Sequence, residues 1–151
     1  MTDRIRIYLK TGGIVFSKEA SEIKTILGSC VSVCLWDFKY KAGGMNHFIF
    51  PTWTGRGLAT PKYGNVAMEF LYEKMISNGS KPEDLIAKVF GGGKIFASLD
   101  ISLNPGRQNI LSAKKFLEKV NIPVIAEDTG GTRGRTVIFH TDTGDVFVKK
   151  N

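Results

Sequence analysis

One cysteine and one histidine in this chain have residue types and spacing suited to covalent catalysis. Cys30 follows a Gly28-Ser29 turn and leads into an apolar run, and His47 lies in the next apolar run, 42–51. A thiolate attacks carbonyl carbons, and a histidine can take the thiol proton and return it to a leaving group. The pair therefore predicts thiol nucleophilic chemistry.

Such a thiol needs a neighbour that stabilises its anion, because a free cysteine has a pKa of ~8.5. We expect His47 to be that neighbour and to lower the pKa of Cys30. Attack on an amide or ester also creates a negative oxygen. Backbone N–H groups of the Gly28-Ser29 turn, with the Ser29 hydroxyl, are candidates to stabilise it.

The spacing predicts that these residues meet. If 31–37 and 45–50 are consecutive strands, they lie side by side and bring Cys30 and His47 to the same end of a sheet. Another interpretation stays open at this point. A cysteine before an apolar strand is often a small buried hydrophobe, and a histidine in an apolar run is often a satisfied core residue.

The second cysteine is predicted to be neither a disulfide partner nor a metal ligand. On a strand, Cys34 lies roughly 13 Å from Cys30 at ~3.3 Å per residue, beyond the ~7 Å reach of a disulfide. His140 is far along the chain, so the paired spacing of a zinc module is missing. We interpret His140 as structural, and the sequence implies no cofactor.

Length and composition predict one globular domain, 1–151. Hydrophobic residues make up 42% of the chain and charged residues 23%, and the longest apolar runs are far shorter than the ~20 residues of a membrane span. We therefore expect no membrane insertion. The first residues lack the apolar core of a signal peptide, which predicts a cytoplasmic protein with reduced thiols.

The chain carries a formal net charge of +7. Basic proteins can bind nucleic acid, but the sequence has no recognisable nucleic-acid-binding motif. The same charge suits docking on an acidic protein surface, such as a glutamate-rich helix. Gly91-Gly92-Gly93-Lys94 lacks the spacing of a phosphate-binding loop, so we interpret the glycines as a turn lining the rim of the site.

Periodicity predicts an α+β sandwich of mostly antiparallel or mixed β-sheet with two to three flanking helices. We expect 5–9 and 14–16 to form a hairpin and 127–131 to be a tight polar loop. Segment 52–61 reads as a loop that covers the site and contacts substrate. The other predicted strands are 23–27, 31–37, 45–50, 85–90, 122–126, 136–141 and 146–149, and the predicted helices are 63–77 and 109–120.

Several separate motifs resemble one known family, the chemoreceptor glutamine deamidase family CheD, in that family's order. The resemblance covers nearly the whole chain, and no single motif has to carry it. The matching runs are 25–37, 43–51, 87–93, 109–110, 127–131 and 134–135.

The resemblance implies an enzyme that converts protein glutamine to glutamate and ammonia. It implies Cys30 as nucleophile, His47 as general base and Thr25 as the residue that orients the histidine. Because family members differ in the spacing before the cysteine, Ser29 or a backbone carbonyl stays an alternative for the orienting role. The implied partners are chemoreceptor cytoplasmic helices and a chemotaxis phosphatase of the CheC type.

Two rival functions remain from the residues alone. The first is a non-catalytic adaptor that binds receptor or phosphatase through the same cleft. The second is a basic nucleic-acid-binding module, whose binding would fall steeply with salt.

Overall fold

The computed structural model describes residues 3–95 and 104–151, and in these ranges it contains nine β-strands and two α-helices. The strands are β1 (Ile5–Tyr8), β2 (Ile14–Ser17), β3 (Ser21–Leu27), β4 (Val31–Asp37), β5 (Ala42–Asn46), β6 (Leu85–Gly91), β7 (Val124–Thr129), β8 (Arg135–His140) and β9 (Val146–Lys150). The helices are α1 (Gly64–Ser77) and α2 (Pro105–Lys119), and a 3-10 turn spans Pro82–Asp84.

The strands form two mixed sheets. A four-stranded sheet has the order β1-β3-β8-β9, and a five-stranded sheet has the order β2-β5-β4-β6-β7. Two pairs are parallel, β1 with β3 and β6 with β7, and the other pairs are antiparallel. The predicted α+β sandwich is confirmed.

Strand β4 lies in the middle of the five-stranded sheet and is covered on both faces. Val31, Val33 and Leu35 pack in a cluster with side chains of both helices. Cys34, on the opposite face, packs in a second cluster with side chains of the four-stranded sheet. The predicted alternation of β4 is therefore confirmed, and it explains why nearly all of its residues are apolar or small.

The predicted hairpin of 5–9 with 14–16 is wrong, although both strands exist. β1 pairs in parallel with β3, whereas β2 pairs antiparallel with β5, in the other sheet. The turn between them carries the chain from one sheet to the other. The N–H of Gly12 in this turn donates to the carbonyl of His47 at 2.7 Å, which holds the crossing beside the histidine.

Two boundaries near the site also differ from prediction. Helix α2 begins at Pro105 rather than at 109, because the side chain of Asn104 accepts a hydrogen bond from the Arg107 N–H at 3.2 Å and caps the helix. The predicted loop 127–131 is wrong in its first part, since 127–129 continue β7 in parallel pairing with β6. Gly130 and Gly131 begin the connection 130–134 that leads to β8.

Apart from strand 45–50, the remaining predicted elements are confirmed, including helix 63–77, the strand ending in glycines and the β8–β9 hairpin. Both cysteines are free thiols. Neither α1 nor α2, the α-helices in 3–95 and 104–151, has the length and apolar character needed to cross a membrane.

Candidate active site

The turn that carries Cys30 is held through its carbonyl groups. The Gly28 carbonyl accepts from the Gly93 N–H at 3.0 Å, and the Cys30 carbonyl accepts from the Gly92 N–H at 2.8 Å. In contrast, the N–H groups of Ser29 and Cys30 donate to no other residue in the described part of the chain. Free backbone donors beside a nucleophile are what an oxyanion site requires.

The glycine segment 91–93, at the end of β6, explains how closely the backbone approaches this turn. Gly91 has a φ of +104°, and a Cβ at this position would collide with the Cys30 carbonyl oxygen. A Cβ on Gly92 would collide with the side chain of Ile110 in α2. The glycines therefore border the nucleophile turn, and no larger residue fits there.

His47 lies directly after β5 and beside the same end of β4. Val31 and Phe48 exchange backbone hydrogen bonds of 3.1 and 3.0 Å, so Cys30 and His47 each precede one member of a bridged pair. The predicted bounds 45–50 are wrong, because β5 spans Ala42–Asn46, but the predicted pairing of this strand with β4 is confirmed.

The His47 ring is buried and fixed by two threonines. Its Nδ1 lies 2.7 Å from the hydroxyl of Thr25, and Thr25 donates its own hydroxyl proton to the Leu9 carbonyl at 2.8 Å. Because that proton is used, the Thr25 oxygen accepts, and Nδ1 of His47 is the donor. Nε2 then carries the lone pair, and Thr11 Oγ1 lies 3.4 Å from it.

Both candidate reactive groups are neutral in these surroundings. Burial lowers the pKa of His47 to about 4. Burial also raises the pKa of Cys30, opposed by the hydrogen bond from its own backbone N–H. The expected lowering of the Cys30 pKa is therefore wrong for this structure, and within the described residues the hydrogen bonds of the His47 ring go to threonines and not to the Cys30 thiol.

The other thiol and imidazole lie outside this site. Cys34 is 1% exposed, and burial raises the pKa of its thiol far above the ordinary value. His140 contacts the Glu22 carboxylate through Nε2 at 3.1 Å in the four-stranded sheet. In 3–95 and 104–151, no three His, Cys, Asp or Glu side chains are grouped as metal ligands.

Two residues at the site have no role predicted from the sequence. Thr11 is assigned only to a turn, and nothing in its neighbours indicates a contact with His47. Asn109 belongs to a motif of the resemblance, but a lone asparagine at the start of a helical pattern does not reveal what it binds. In the structure its side-chain NH₂ donates to the carbonyls of Ser29 and Ile49.

The loop 52–61 contains no helix or strand, as predicted. Trp53 is half-buried, with its N–H donating to Asn65 Oδ1 at 2.8 Å and its indole N–H donating to the Arg56 carbonyl at 3.0 Å. The role of this loop in contacting substrate stays a prediction.

The chain is an α+β protein with two sheets, in which a buried histidine lies beside the turn that carries a cysteine, and this pair is the candidate site. A model of the family described as CheD chemotactic sensory transduction matches residues 51–150. The chain belongs to the CheD family. This match begins after Cys30 and His47, so it is independent of both.

Similar proteins cover the rest of the chain as well. A probable chemoreceptor glutamine deamidase CheD of Trichlorobacter lovleyi is 46% identical over 143 residues, which is 95% of this chain and 89% of that protein. Proteins named in the same way from Anaeromyxobacter dehalogenans and Sulfurimonas denitrificans are 40% and 39% identical, over 97% and 94% of this chain and 85% and 92% of their own lengths.

Proposed function

We propose that the chain is a cytoplasmic protein-glutamine deamidase that converts chemoreceptor glutamine to glutamate and ammonia. Membership of the CheD family and the names of the similar proteins support this activity. The observation that carries the proposal is the His47 ring, whose Nδ1 is fixed by Thr25 and whose Nε2 keeps its lone pair. A base in this tautomer beside a cysteine turn suits acyl transfer.

The proposed reaction starts from the neutral pair. Nε2 of His47 takes the thiol proton as Sγ of Cys30 attacks the glutamine carbonyl carbon, and the imidazolium then gives that proton to the departing ammonia. Water attacks the resulting thioester, again with His47 as base. The C–S bond breaks, the thiol regains its proton, and glutamate is released.

The negative oxygen that forms in each step needs donors. The N–H of Ser29 supports an oxyanion site at this turn, because it donates to no acceptor in the described part of the chain while the carbonyls of the turn accept from the glycine segment and from Asn109. The N–H of Cys30, which contacts its own thiol in this structure, is a second candidate donor once the sulfur has attacked. The Ser29 hydroxyl is a further candidate donor.

Recognition of the receptor is proposed to combine charge and shape. The net charge of +7 favours encounter with acidic receptor helices, and the glycine-bordered turn admits one glutamine side chain to Cys30. A chemotaxis phosphatase of the CheC type is the proposed second partner, on the basis of the family resemblance alone.

One observation favours a second candidate, a non-catalytic adaptor that binds receptor or phosphatase through the same cleft. Within the described residues the Cys30 thiol makes no hydrogen bond to His47, and burial raises its pKa. Free enzymes often tighten such contacts only when substrate binds, so we keep deamidation as the first candidate.

The test is to incubate the protein with receptor cytoplasmic fragments and to measure ammonia release and the mass increase of individual peptides. We expect turnover of receptor glutamine, little turnover of free glutamine, and a rate at limiting receptor concentration that falls with salt. Binding of the receptor without any mass change would favour the adaptor. Equal turnover of free glutamine, without salt dependence, would indicate a small-molecule amidase.

A further inference from the structure

The side chain of Asn109 joins the two segments that carry the proposed nucleophile and base. Asn109 is fully buried in α2, and its Nδ2 donates to the Ser29 carbonyl at 3.0 Å and to the Ile49 carbonyl at 2.8 Å. Ser29 directly precedes Cys30, and Ile49 is the second residue after His47. Both neighbours are carbonyl oxygens, so the atom that faces them is the amide nitrogen.

The backbone alone does not hold these two segments together at this point. Their last mutual backbone hydrogen bonds are those of Val31 with Phe48. Beyond this bridge the segments separate, because the N–H of Ile49 donates to the Lys62 carbonyl and the Cys30 carbonyl accepts from the glycine segment. Within the described residues, the Asn109 amide is the link between the segments beyond the bridge.

The other polar atom of the Asn109 side chain, Oδ1, argues against a purely stabilising role for this residue. Its Oδ1 is buried and has no hydrogen-bond partner among the described residues. A buried acceptor without a partner is unfavourable, and an apolar side chain of similar size would avoid that cost. What an apolar side chain could not do is hold the Ser29 and Ile49 carbonyls at one fixed distance.

We propose that Asn109 is a positioning residue that sets the separation of Cys30 from His47. The proposal rests on the proposed function, because it assumes that these two side chains act together. A displacement of about 1 Å between reacting groups can lower a rate by about a hundred-fold. Two short hydrogen bonds from one rigid amide suit this role.

The chain offers a matched control one helical turn later. The hydroxyl of Ser112 donates to the Pro51 carbonyl at 2.6 Å, so it also ties α2 to the segment after β5. It does not contact the cysteine turn. We therefore expect Ser112→Ala to lose a comparable helix contact without changing the geometry of Cys30 and His47.

The experiment measures how strongly His47 influences the alkylation of Cys30 by iodoacetamide at neutral pH. The rate is compared between the parent chain and His47→Gln, and then between Asn109→Leu and the Asn109→Leu/His47→Gln double variant. Because neutral His47 can take the thiol proton as the sulfur attacks, we expect His47→Gln to slow alkylation by about ten-fold in the parent chain and to have almost no effect in the Asn109→Leu chain. With Ser112→Ala in place of Asn109→Leu, the ten-fold effect should remain.

A second variant keeps the test decisive if Asn109→Leu does not fold, as judged by circular dichroism. Asn109→Ser is smaller and retains one donor, and we expect an intermediate effect of His47→Gln in that chain. Equal effects of His47→Gln with and without Asn109 would overturn the positioning role, as would no effect in the parent chain. Because alkylation needs no receptor, failure of the parent chain to deamidate receptors would count against the proposed function and not against this result.

Discussion

The hydroxyl of Thr25 lies 2.7 Å from Nδ1 of His47, although the two residues come from different sheets. Thr25 belongs to β3 of the four-stranded sheet, and His47 directly follows β5 of the five-stranded sheet. Because Thr25 also donates to the Leu9 carbonyl, it acts as the acceptor for the histidine. The contact therefore selects the tautomer that leaves Nε2 able to accept a proton.

We expect Thr25→Val to lower kcat for receptor deamidation by about ten- to a hundred-fold, with little change in KM. The variant keeps the shape of the side chain but removes the acceptor, so the His47 ring loses its fixed tautomer and orientation. The free energy of unfolding should fall by about 1–3 kcal/mol, because the buried Leu9 carbonyl loses its donor.

The control for that variant is Thr141→Val. Thr141 is also fully buried, and its hydroxyl oxygen accepts from the Ser21 N–H at 2.9 Å in the same sheet, away from His47. It should lose similar stability and retain kcat. An equal loss of kcat in both variants would show that Thr25 matters only for the fold.

Cys30→Ala should abolish deamidation and leave the fold intact, because no other thiol in the described structure borders His47. Cys34→Ala should retain most activity and lose about 1 kcal/mol of stability, since it removes a buried sulfur from the cluster between the sheets. Ammonia release and urea unfolding measure the two effects. Wild-type turnover in the Cys30 variant would remove this residue from the mechanism.

Alkylation of Cys30 in the folded protein should increase with pH around a midpoint above that of an exposed cysteine. Burial disfavours the thiolate, which raises the pKa of Cys30, so the thiol form predominates at neutral pH. Iodoacetamide rates across a pH series, with adducts located by mass spectrometry, give the midpoint. Cys34 should remain unmodified in the same samples. A midpoint below the ordinary value would instead indicate a thiolate stabilised by imidazolium.

The burial of His47 predicts a specific loss of stability in acid. The pKa of His47 is lowered to about 4 in the folded chain, whereas an unfolded histidine titrates near 6.5. Between these values the unfolded chain binds a proton that the folded chain does not. Stability from this group is therefore complete above about pH 6.5 and decreases as the pH falls towards 4, by about 3 kcal/mol in total.

The measurement is urea unfolding of the wild type and of His47→Gln at several pH values between 7 and 4.5. Carboxylates contribute to both proteins, so the difference between them isolates His47. We expect the stability of the wild type relative to the variant to fall across this range. A constant difference would show that the folded chain protonates His47 as readily as the unfolded chain does.

The sequence predicts correctly those strands, helices and turns that are determined by residues close to one another in the chain. The alternation of β4, the helix 63–77 and the glycine-containing turn between β8 and β9 are confirmed because each depends on residues close in sequence. The pairing of β1 and β2 was wrong for the opposite reason. Their partners, β3 and β5, lie in two different sheets, and no local turn signal encodes which sheet a strand joins.

The candidate site shows the same division. Residue type and spacing predict Cys30 and His47 as the reactive pair, and the resemblance implies Thr25 as the residue that orients the histidine; these roles stay predictions. The protonation of the pair was mispredicted, because burial depends on side chains that come from both sheets and the helices. The contacts of Thr11 and Asn109 also needed the structure, since they join segments far apart in the chain.

The position of the site between the two sheets links catalysis to the way the sheets pack. Thr25 from one sheet must stay within hydrogen-bond reach of a ring carried by the other, and the apolar cluster between the sheets maintains that spacing. Conditions that loosen the cluster but leave the strands formed should therefore inactivate the protein early. During gradual denaturation, turnover should disappear while the far-ultraviolet circular dichroism signal is still close to native. Loss of activity would then detect the loosening of contacts between the sheets before the strands and helices unfold.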